Sequence, residues 1–275
     1  MAFELPSRLS PSKMSTFKDC ALSFRFSAID HLPEPPSAPA MRGSLVHAAL
    51  EQLYALPAPE RTLPAALSCL AAAADTFCEL PEYAELGLDD EEGQAFLDEA
   101  ERLVRNALIL EDPTTIHPIG IELRLEVEVE GLRLIGIIDR LELDADGRLV
   151  VTDYKTGRAP SEKFEQGRLG GVHFYSLLCE ELFGQRPAKV QLLHLAEPVT
   201  ITSYPTDQST RGLRRKVGAL WQAVELACER EDFRPKPGPL CSWCSFQDHC
   251  PAQGGVLPAP PSIIPVERPA LVAAS

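Results

Sequence analysis

Hydrophobic and charged residues alternate regularly between residues 119 and 130, in the middle of the chain. This two-residue period is typical of a β-strand with one buried face. Gly131 then turns the chain, and residues 132–143 and 148–154 continue as two apolar strands joined by an Asp146-Gly147 turn. The three segments predict an antiparallel meander.

Helical spacing of apolar residues is found on both sides of this meander. Ser10 and Pro11 resemble an N-cap and a first-turn proline, and they predict a helix that ends at about Ile29. Residues 33–39 are proline-rich and cannot stay helical, so a second helix is predicted from about Ser44. The remaining predicted elements are two or three helices within 61–110, helices at 161–183 and 207–229, and strands at 189–195 and 199–204.

This order of elements predicts an α/β fold in which a central mixed β-sheet is flanked by helices. The 275 residues, 45% of them hydrophobic, suffice for one elaborated domain with a real core. We expect that domain to span residues 1–254, followed by a loosely draped proline-rich tail at 255–275. Within the domain we expect a helical insertion at about 60–112, a core at about 119–205 and a cysteine module at 236–251.

The formal net charge of −14 argues against a protein that coats nucleic acid passively, because such proteins are usually basic. It does not exclude an enzyme that binds divalent cations, since each cation neutralises two carboxylate charges. A late basic segment forms either a solvated helix face or a stripe that contacts phosphates; it contains Arg211, Arg214, Arg215, Lys216, Arg230, Arg234 and Lys236.

The chain shows no secretory signal pattern and no apolar run of the length, about 18 residues, that a membrane span requires. We therefore expect a cytoplasmic protein without membrane contact. A reducing compartment disfavours disulfides, so the eight cysteines need another explanation.

Two apolar strand segments each lead to an aspartate. Asp139 follows the apolar residues that begin at Gly136, and Asp153 follows those that begin at Val150. Asp153 and Lys155 are two residues apart and face the same side of a strand, and in-register pairing would bring Asp139 to that side. A buried carboxylate is costly unless it is paired or binds a cation. The Asp-x-Lys pattern alone is more often a satisfied ion pair at a strand end.

Two carboxylates and a lysine in one pocket suit metal-dependent hydrolysis of a phosphodiester. Carboxylate oxygens are ligands for Mg²⁺ or Mn²⁺, which lower the pKa of a bound water and polarise phosphate oxygens. The lysine can orient that water or neutralise the charge that develops.

The wider sequence resembles the PD-(D/E)XK nuclease superfamily, specifically its RecB-like branch, which includes iron–sulfur exonucleases. The motifs are Ser10-Pro11-Ser12 through Cys20, Arg42-Gly43-Ser44-Leu45-Val46-His47, Gly136-Ile137-Ile138-Asp139-Arg140, Asp153-Tyr154-Lys155-Thr156-Gly157 and three late cysteines. Each motif is weak alone, but their order and spacing are specific together. The resemblance implies a restriction-endonuclease-like core, with the nuclease centre in the meander.

The resemblance also implies roles for residues scattered over the chain. The expected metal ligands are His47, Asp139, Asp153 and the backbone carbonyl of Tyr154. The expected catalytic residues are Asp139, Asp153, Lys155 and Glu122, and the expected substrate-binding residues are Tyr175 and Arg140. Glu122 also alternates with other strand glutamates, which fits a merely exposed residue nearly as well.

The sequence departs from the family pattern on the helix after the lysine. The family often has Gln four residues before the helical tyrosine, and this chain has Gly171 at that distance from Tyr175. His173 or Gln166 would have to replace the contact. The departure bears on substrate positioning and not on the metal site.

Three late cysteines form a compact set of soft metal ligands, Cys241-x2-Cys244-x5-Cys250. They need a fourth ligand to close a tetrahedral zinc site or to hold a [4Fe–4S] cluster, and His249 and Cys20 are the two candidates. Spacing alone does not choose between the metals. The resemblance favours a [4Fe–4S] cluster held by Cys20, Cys241, Cys244 and Cys250 as an N-/C-terminal iron–sulfur clamp, with zinc as the alternative.

We therefore expect a metal-dependent DNA nuclease, an exonuclease on single-stranded DNA ends that serves DNA repair, recombination or defence. The sequence contains no Walker A motif, so a helicase would have to be a separate partner. The alternative is a non-cleaving DNA-binding or scaffold subunit of a helicase–nuclease complex that retains the fold and the metal cluster.

Overall fold

A five-stranded mixed β-sheet forms the centre of the molecule, with its strands in chain order β1-β2-β3-β4-β5. The structure is a computed structural model that describes residues 3–159 and 162–258, the side chains of 162–172 excepted. The strands are β1 Pro118–Val129, β2 Leu132–Leu143, β3 Leu149–Lys155, β4 Lys189–His194 and β5 Val199–Ser203. Neighbouring strands are antiparallel except β3 and β4, which are parallel. This confirms the predicted meander and the predicted mixed sheet.

Helices cover both faces of the sheet. They are α1 Pro11–Asp19, α2 Ala21–Ala28, α3 Ala38–Ala55, α4 Leu63–Cys78, α5 Pro81–Ala84, α6 Asp90–Leu110, α7 Glu162–Phe183 and α8 Asp207–Arg230. None of the helices within the described residues combines the length and the apolar character that crossing a membrane would require.

The helix predicted from Pro11 to Ile29 is two helices, because the chain leaves the helical conformation at Cys20. The backbone of Cys20 is extended, with φ −159° and ψ 112°, and this residue both ends α1 and precedes α2. Apolar spacing continues across the break, so periodicity alone did not reveal it. The corner places the Cys20 thiol between two helices.

The second helix begins earlier than predicted, at Ala38 and not at Ser44. The Ser37 hydroxyl caps it by accepting a hydrogen bond from the Ala40 N–H at 3.4 Å. Pro39 lies in the first turn, where a proline costs nothing because its missing N–H would have no helical partner. The proline-rich segment therefore ends in a helix start.

Two hydrophobic cores lie on the two sides of the sheet. One contains apolar side chains of α2, α7 and α8, and the other contains those of α3, α4 and α6. Each core is closed by strand residues of the facing side of the sheet, such as Val151 for the first and Tyr154 for the second. The result is the layered α/β architecture expected of a restriction-endonuclease-like core.

The alternation of strand residues is interrupted at Glu122. Leu123 packs with the first core, whereas Ile121, two residues earlier, packs with the second. Residues two apart on a regular strand share a face. The backbone of Glu122 has φ +44°, a left-handed conformation that non-glycine residues rarely adopt, and this explains the exchange of faces. Strain of this kind is concentrated at functional sites.

Candidate metal centre

Three side chains from three elements come together at one end of the sheet. His47 of α3 lies with its Nδ1 3.4 Å from Oε1 of Glu122 on β1 and 3.6 Å from Oδ1 of Asp139 on β2. One ligand atom from each of these residues lies within 4.8 Å of the others. Carboxylate oxygens suit Mg²⁺ or Mn²⁺, and imidazole nitrogen suits transition-metal ions, so this group can hold a divalent cation.

The close approach of α3 to the sheet places His47 at the centre. A Cβ atom added to Gly43 would lie 3.0 Å from Oγ1 of Thr156, a tight contact, so the glycine eases the close approach of the helix to the end of β3. A cavity of about 490 Å³ opens beside His47 and Glu122. Its lining includes Ser44, His47, Glu122 and Thr156.

Asp153 and Lys155 lie beside this group on β3. The Asp153 side chain is 2% exposed and pairs with the ammonium of Lys155, whose own side chain is 43% exposed. The Tyr175 hydroxyl donates a hydrogen bond to Oδ1 of Asp153 at 3.1 Å. A Cβ atom at Gly136 would lie 3.2 Å from the Tyr175 ring, so this glycine lets α7 bring Tyr175 against the sheet.

A hydrogen bond joins the two aspartate-bearing strands. The backbone N–H of Tyr154 donates to Oδ2 of Asp139 at 2.6 Å. The β2–β3 ladder pairs Arg140 with Thr152, which sets Asp139 across from Asp153. The pairing brings the two aspartates together as in-register pairing predicts.

The electrostatics of the centre favour a cation. Burial and the charge of Asp153 raise the pKa of Asp139 to about 7, although His47 and Lys155 oppose the shift. Burial disfavours the charged form of His47, yet a hydrogen bond to Glu122 and the charges of Asp139, Glu122 and Asp153 raise its pKa. These carboxylates cannot all ionise without a positive partner. A bound divalent cation would supply that positive charge and stabilise their ionised forms.

Arg140, expected to bind substrate, lies behind the centre and not in the cleft. Its side chain is 0% exposed, and its guanidinium forms two hydrogen bonds to Glu111, at 2.6 and 2.8 Å. This arrangement leaves Arg140 no path to a bound phosphate, because its charge is already neutralised inside the protein. Sequence reasoning missed Glu111. The available signal was an acidic residue at the C-terminal end of α6, where the helix dipole disfavours negative charge.

The structure brings the four predicted cluster ligands to one cavity. Cys20, Cys241, Cys244 and Cys250 all line a space of about 250 Å³ between α2 and the C-terminal module. None of them forms a disulfide. His249 packs against the Phe26 ring, at a centroid distance of 6.0 Å, and is not among the residues that line the cavity.

Two arginines of the late basic segment have acidic partners. Arg214 forms an ion pair with Glu181, and Arg234 forms one with Asp232. The family position occupied by Gly171, and its substitute Gln166, lie outside the residues whose side chains are described. His173 is partly buried on α7 near Lys216, whose charge adds to burial in lowering the His173 pKa.

One solved structure shares this fold, and two curated proteins share part of the sequence. A crystal structure of a protein from Eubacterium rectale, named as a candidate exonuclease, superposes with a TM-score of 0.58 over 94% of this chain and 92% of that one, at 13% identity. The gene 69 proteins of Mycobacterium phages L5 and D29 are 30% and 29% identical over 135 residues, 48% of this chain. The match covers 44% and 48% of those proteins, so this chain spans about half the length of the curated relatives it matches.

The family profile gives the broadest match. The profile of the PD-(D/E)XK nuclease superfamily matches residues 8–251. This range includes the group of His47, Glu122 and Asp139, the Asp153–Lys155 pair and the four cysteines that are predicted to hold a cluster. The matched range therefore contains the N-terminal helices, all five strands of the sheet and the C-terminal cysteines. The chain belongs to the PD-(D/E)XK nuclease superfamily.

Proposed function

We propose that this nuclease is a metal-dependent exonuclease that hydrolyses phosphodiester bonds at single-stranded DNA ends. The observation that carries the proposal is the group of His47, Glu122 and Asp139 next to the Asp153–Lys155 pair, open to a cavity beside α3. The residues fit Mg²⁺ or Mn²⁺, because the carboxylates are oxygen ligands and their charges lack enough positive partners inside the protein.

His47, Glu122 and Asp139 would hold the cation, with Asp153 and the Tyr154 carbonyl completing its surroundings. When bound, the cation supplies a water of lowered pKa and polarises the phosphate. The exposed ammonium of Lys155 can donate hydrogen bonds to the non-bridging phosphate oxygens as negative charge develops on them. A bond forms between the water oxygen and phosphorus as this water releases a proton, the bond to the leaving sugar oxygen breaks, and that oxygen takes up a proton, so that no net proton is gained or lost in the step.

Asp153 keeps Lys155 in place. Its carboxylate is buried and bound on two sides, by the ammonium and by the Tyr175 hydroxyl. We expect Tyr175 to act through Asp153, in addition to any contact with substrate. The biological role we propose is DNA repair, recombination or defence, with a separate helicase that supplies single-stranded ends.

The test is cleavage of single-stranded DNA that carries a label at either end, with Mn²⁺ or Mg²⁺ and then with a chelator. We expect metal-dependent release of short products from linear DNA and none from circular DNA. His47→Ala should raise the Mn²⁺ concentration needed for half-maximal rate about 10–100-fold, the usual cost of disturbing a metal site. His117→Ala is the matched control, since His117 is exposed and lies outside the cavity lining.

Two outcomes would contradict the proposal. Equal cleavage of circular and linear DNA would show endonuclease action. Metal-dependent binding of DNA ends without cleavage, by folded protein, would favour the alternative of a non-cleaving subunit in a helicase–nuclease complex.

We also propose that Cys20, Cys241, Cys244 and Cys250 hold a [4Fe–4S] cluster that clamps the N-terminal helices to the C-terminal module. All four cysteines line one cavity between α2 and the C-terminal module, which supports a shared group that the four thiols hold together.

Cys20→Ser should abolish iron binding, because three thiolates remain for four irons. The measurement is the iron, sulfide and zinc content of protein purified without oxygen, together with its visible absorption. Cys78→Ser is the matched control, since Cys78 is exposed and lies outside the cavity. Stoichiometric zinc without iron in the wild-type protein would overturn the cluster in favour of the zinc alternative.

A further inference from the structure

A buried polar cluster lies directly behind the metal centre. It consists of Arg140, Glu111, Tyr154, Tyr54 and Thr152, and we call it the Arg140 cluster. The Arg140 guanidinium binds both Glu111 oxygens, donates to the Thr152 hydroxyl at 3.1 Å and also donates to the Tyr154 hydroxyl. These buried hydrogen bonds hold the members in one arrangement, because displacing one member would leave another buried polar group without a partner.

The cluster is joined to the metal centre through Tyr154. The Tyr154 hydroxyl donates to Glu111 at 2.7 Å, and the backbone N–H of the same residue donates to Asp139. Arg140 directly follows Asp139 in the chain, and Tyr154 lies between Asp153 and Lys155. Each of the two strands therefore contributes one residue to the metal centre and its chain neighbour to the cluster.

The cluster also reaches α3, the helix that carries His47. The Tyr54 hydroxyl donates to Glu111 at 2.6 Å, and the Tyr54 ring lies 4.7 Å from the Arg140 guanidinium carbon. Glu111 itself comes from the end of α6, the last helix before the sheet. Burial opposes ionisation of Glu111, but hydrogen bonds from Arg140 and the two tyrosines lower its pKa, so the acceptor stays charged.

We infer that the Arg140 cluster is a positioning device that sets the distances between His47 on α3, Asp139 on β2 and Asp153 on β3. The cluster joins the three elements at one buried point, through Tyr54 of α3, Arg140 of β2 and Tyr154 of β3. Its residues touch neither the substrate nor the cation through their side chains, so they are positioning residues. The inference rests on the proposed function, because it assumes that these ligands hold a divalent cation.

The experiment measures Mn²⁺ affinity by calorimetry in the full chain, without DNA, for Tyr154→Phe and Glu111→Gln. Both changes preserve the size of the side chain and remove a bond of the cluster. We expect Kd for Mn²⁺ to rise about 10–100-fold, as for other residues that orient metal ligands. We expect cleavage at saturating Mn²⁺ to recover toward the wild-type rate, which a general loss of folding would not allow.

Glu142→Gln is the matched control. Glu142 forms an ion pair with Nε of Arg140 at 3.1 Å, but it lies two residues beyond Arg140 on β2, away from Asp139. This variant loses the same charge near the same guanidinium and leaves Tyr154 bound, so its Kd should stay within about twofold of wild type. If Glu111→Gln does not fold, the Mn²⁺ affinity of Tyr154→Phe alone still tests the inference.

The outcomes separate the inference from the proposed function. Normal Mn²⁺ binding by the wild type, with unchanged Kd in Tyr154→Phe and Glu111→Gln, overturns the inference alone. An equal rise in Kd for Glu142→Gln also overturns it. The charge balance around Arg140, and not the link through Tyr154, would then set the Mn²⁺ affinity. Failure of the wild type to bind Mn²⁺ overturns the proposed function and the inference together.

Discussion

Lys155→Ala is expected to lower kcat for DNA cleavage roughly 10²–10³-fold, the usual cost of removing one preorganised donor from a charged transition state. The expectation rests on the pairing of the Lys155 ammonium with Asp153, which holds the charge at the open side of the centre. KM should change little, because the donor acts mainly on charge that develops during the reaction. Steady-state cleavage of end-labelled single-stranded DNA at saturating Mn²⁺ gives both constants.

Lys189→Ala is the matched control for this substitution. The parallel ladder pairs Lys189 with Val150 and His194 with Lys155, so the two lysines lie at opposite ends of the β3–β4 pair. If Lys155 acted only through the net charge of the protein, Lys155→Ala and Lys189→Ala would lose the same cleavage activity. Full activity in Lys155→Ala would show that the ammonium has no part in the reaction.

Arg140→Met is expected to destabilise the protein by about 3–5 kcal/mol, the usual cost of breaking a buried ion pair from one side. The substitution keeps most of the side-chain volume but leaves the buried Glu111 carboxylate without its cation. Urea denaturation, read from the midpoint at constant m value, measures the loss.

The double variant Arg140→Met/Glu111→Gln tests the physical reason. The amide that replaces the Glu111 carboxylate would carry no charge, yet its carbonyl oxygen could still accept the hydrogen bonds of Tyr54 and Tyr154. Most of the lost stability should therefore return in the double variant. A double variant less stable than Arg140→Met alone would mean that packing around Arg140, and not the uncompensated charge, sets the loss.

Much of the fold follows from local sequence pattern. The alternation around Leu125, Gly131 and the Asp146-Gly147 turn predict the meander almost to the residue, because strand period and turn chemistry are local properties. Helix limits were predicted less well at Cys20 and Ala38. At Cys20, a single extended residue does not disturb the spacing of the apolar residues. At Ala38, the nearby proline was interpreted as a helix breaker, whereas proline is also common in the first turn of a helix.

The sequence also predicts which residues could carry chemistry, whereas it does not show their partners. Asp139, Asp153 and Lys155 stand in a recognisable pattern, and His47 belongs to a motif of the same family. The sequence left Glu122 open between an active acid and an exposed strand residue. The structure places it 3.4 Å from His47, since a left-handed backbone at Glu122 exchanges the faces of the strand.

The sequence by itself determined which elements form and which residue types could do chemistry, because periodicity, turns and motif order are properties of neighbouring positions. Only the tertiary structure decided that Arg140 turns inward to Glu111, 29 residues away in the chain, while Asp139 beside it lies 3.6 Å from His47. Such pairings depend on how α6, α3 and the sheet pack. Burial of a charge requires a partner, and distant elements supply that partner only once the chain has folded.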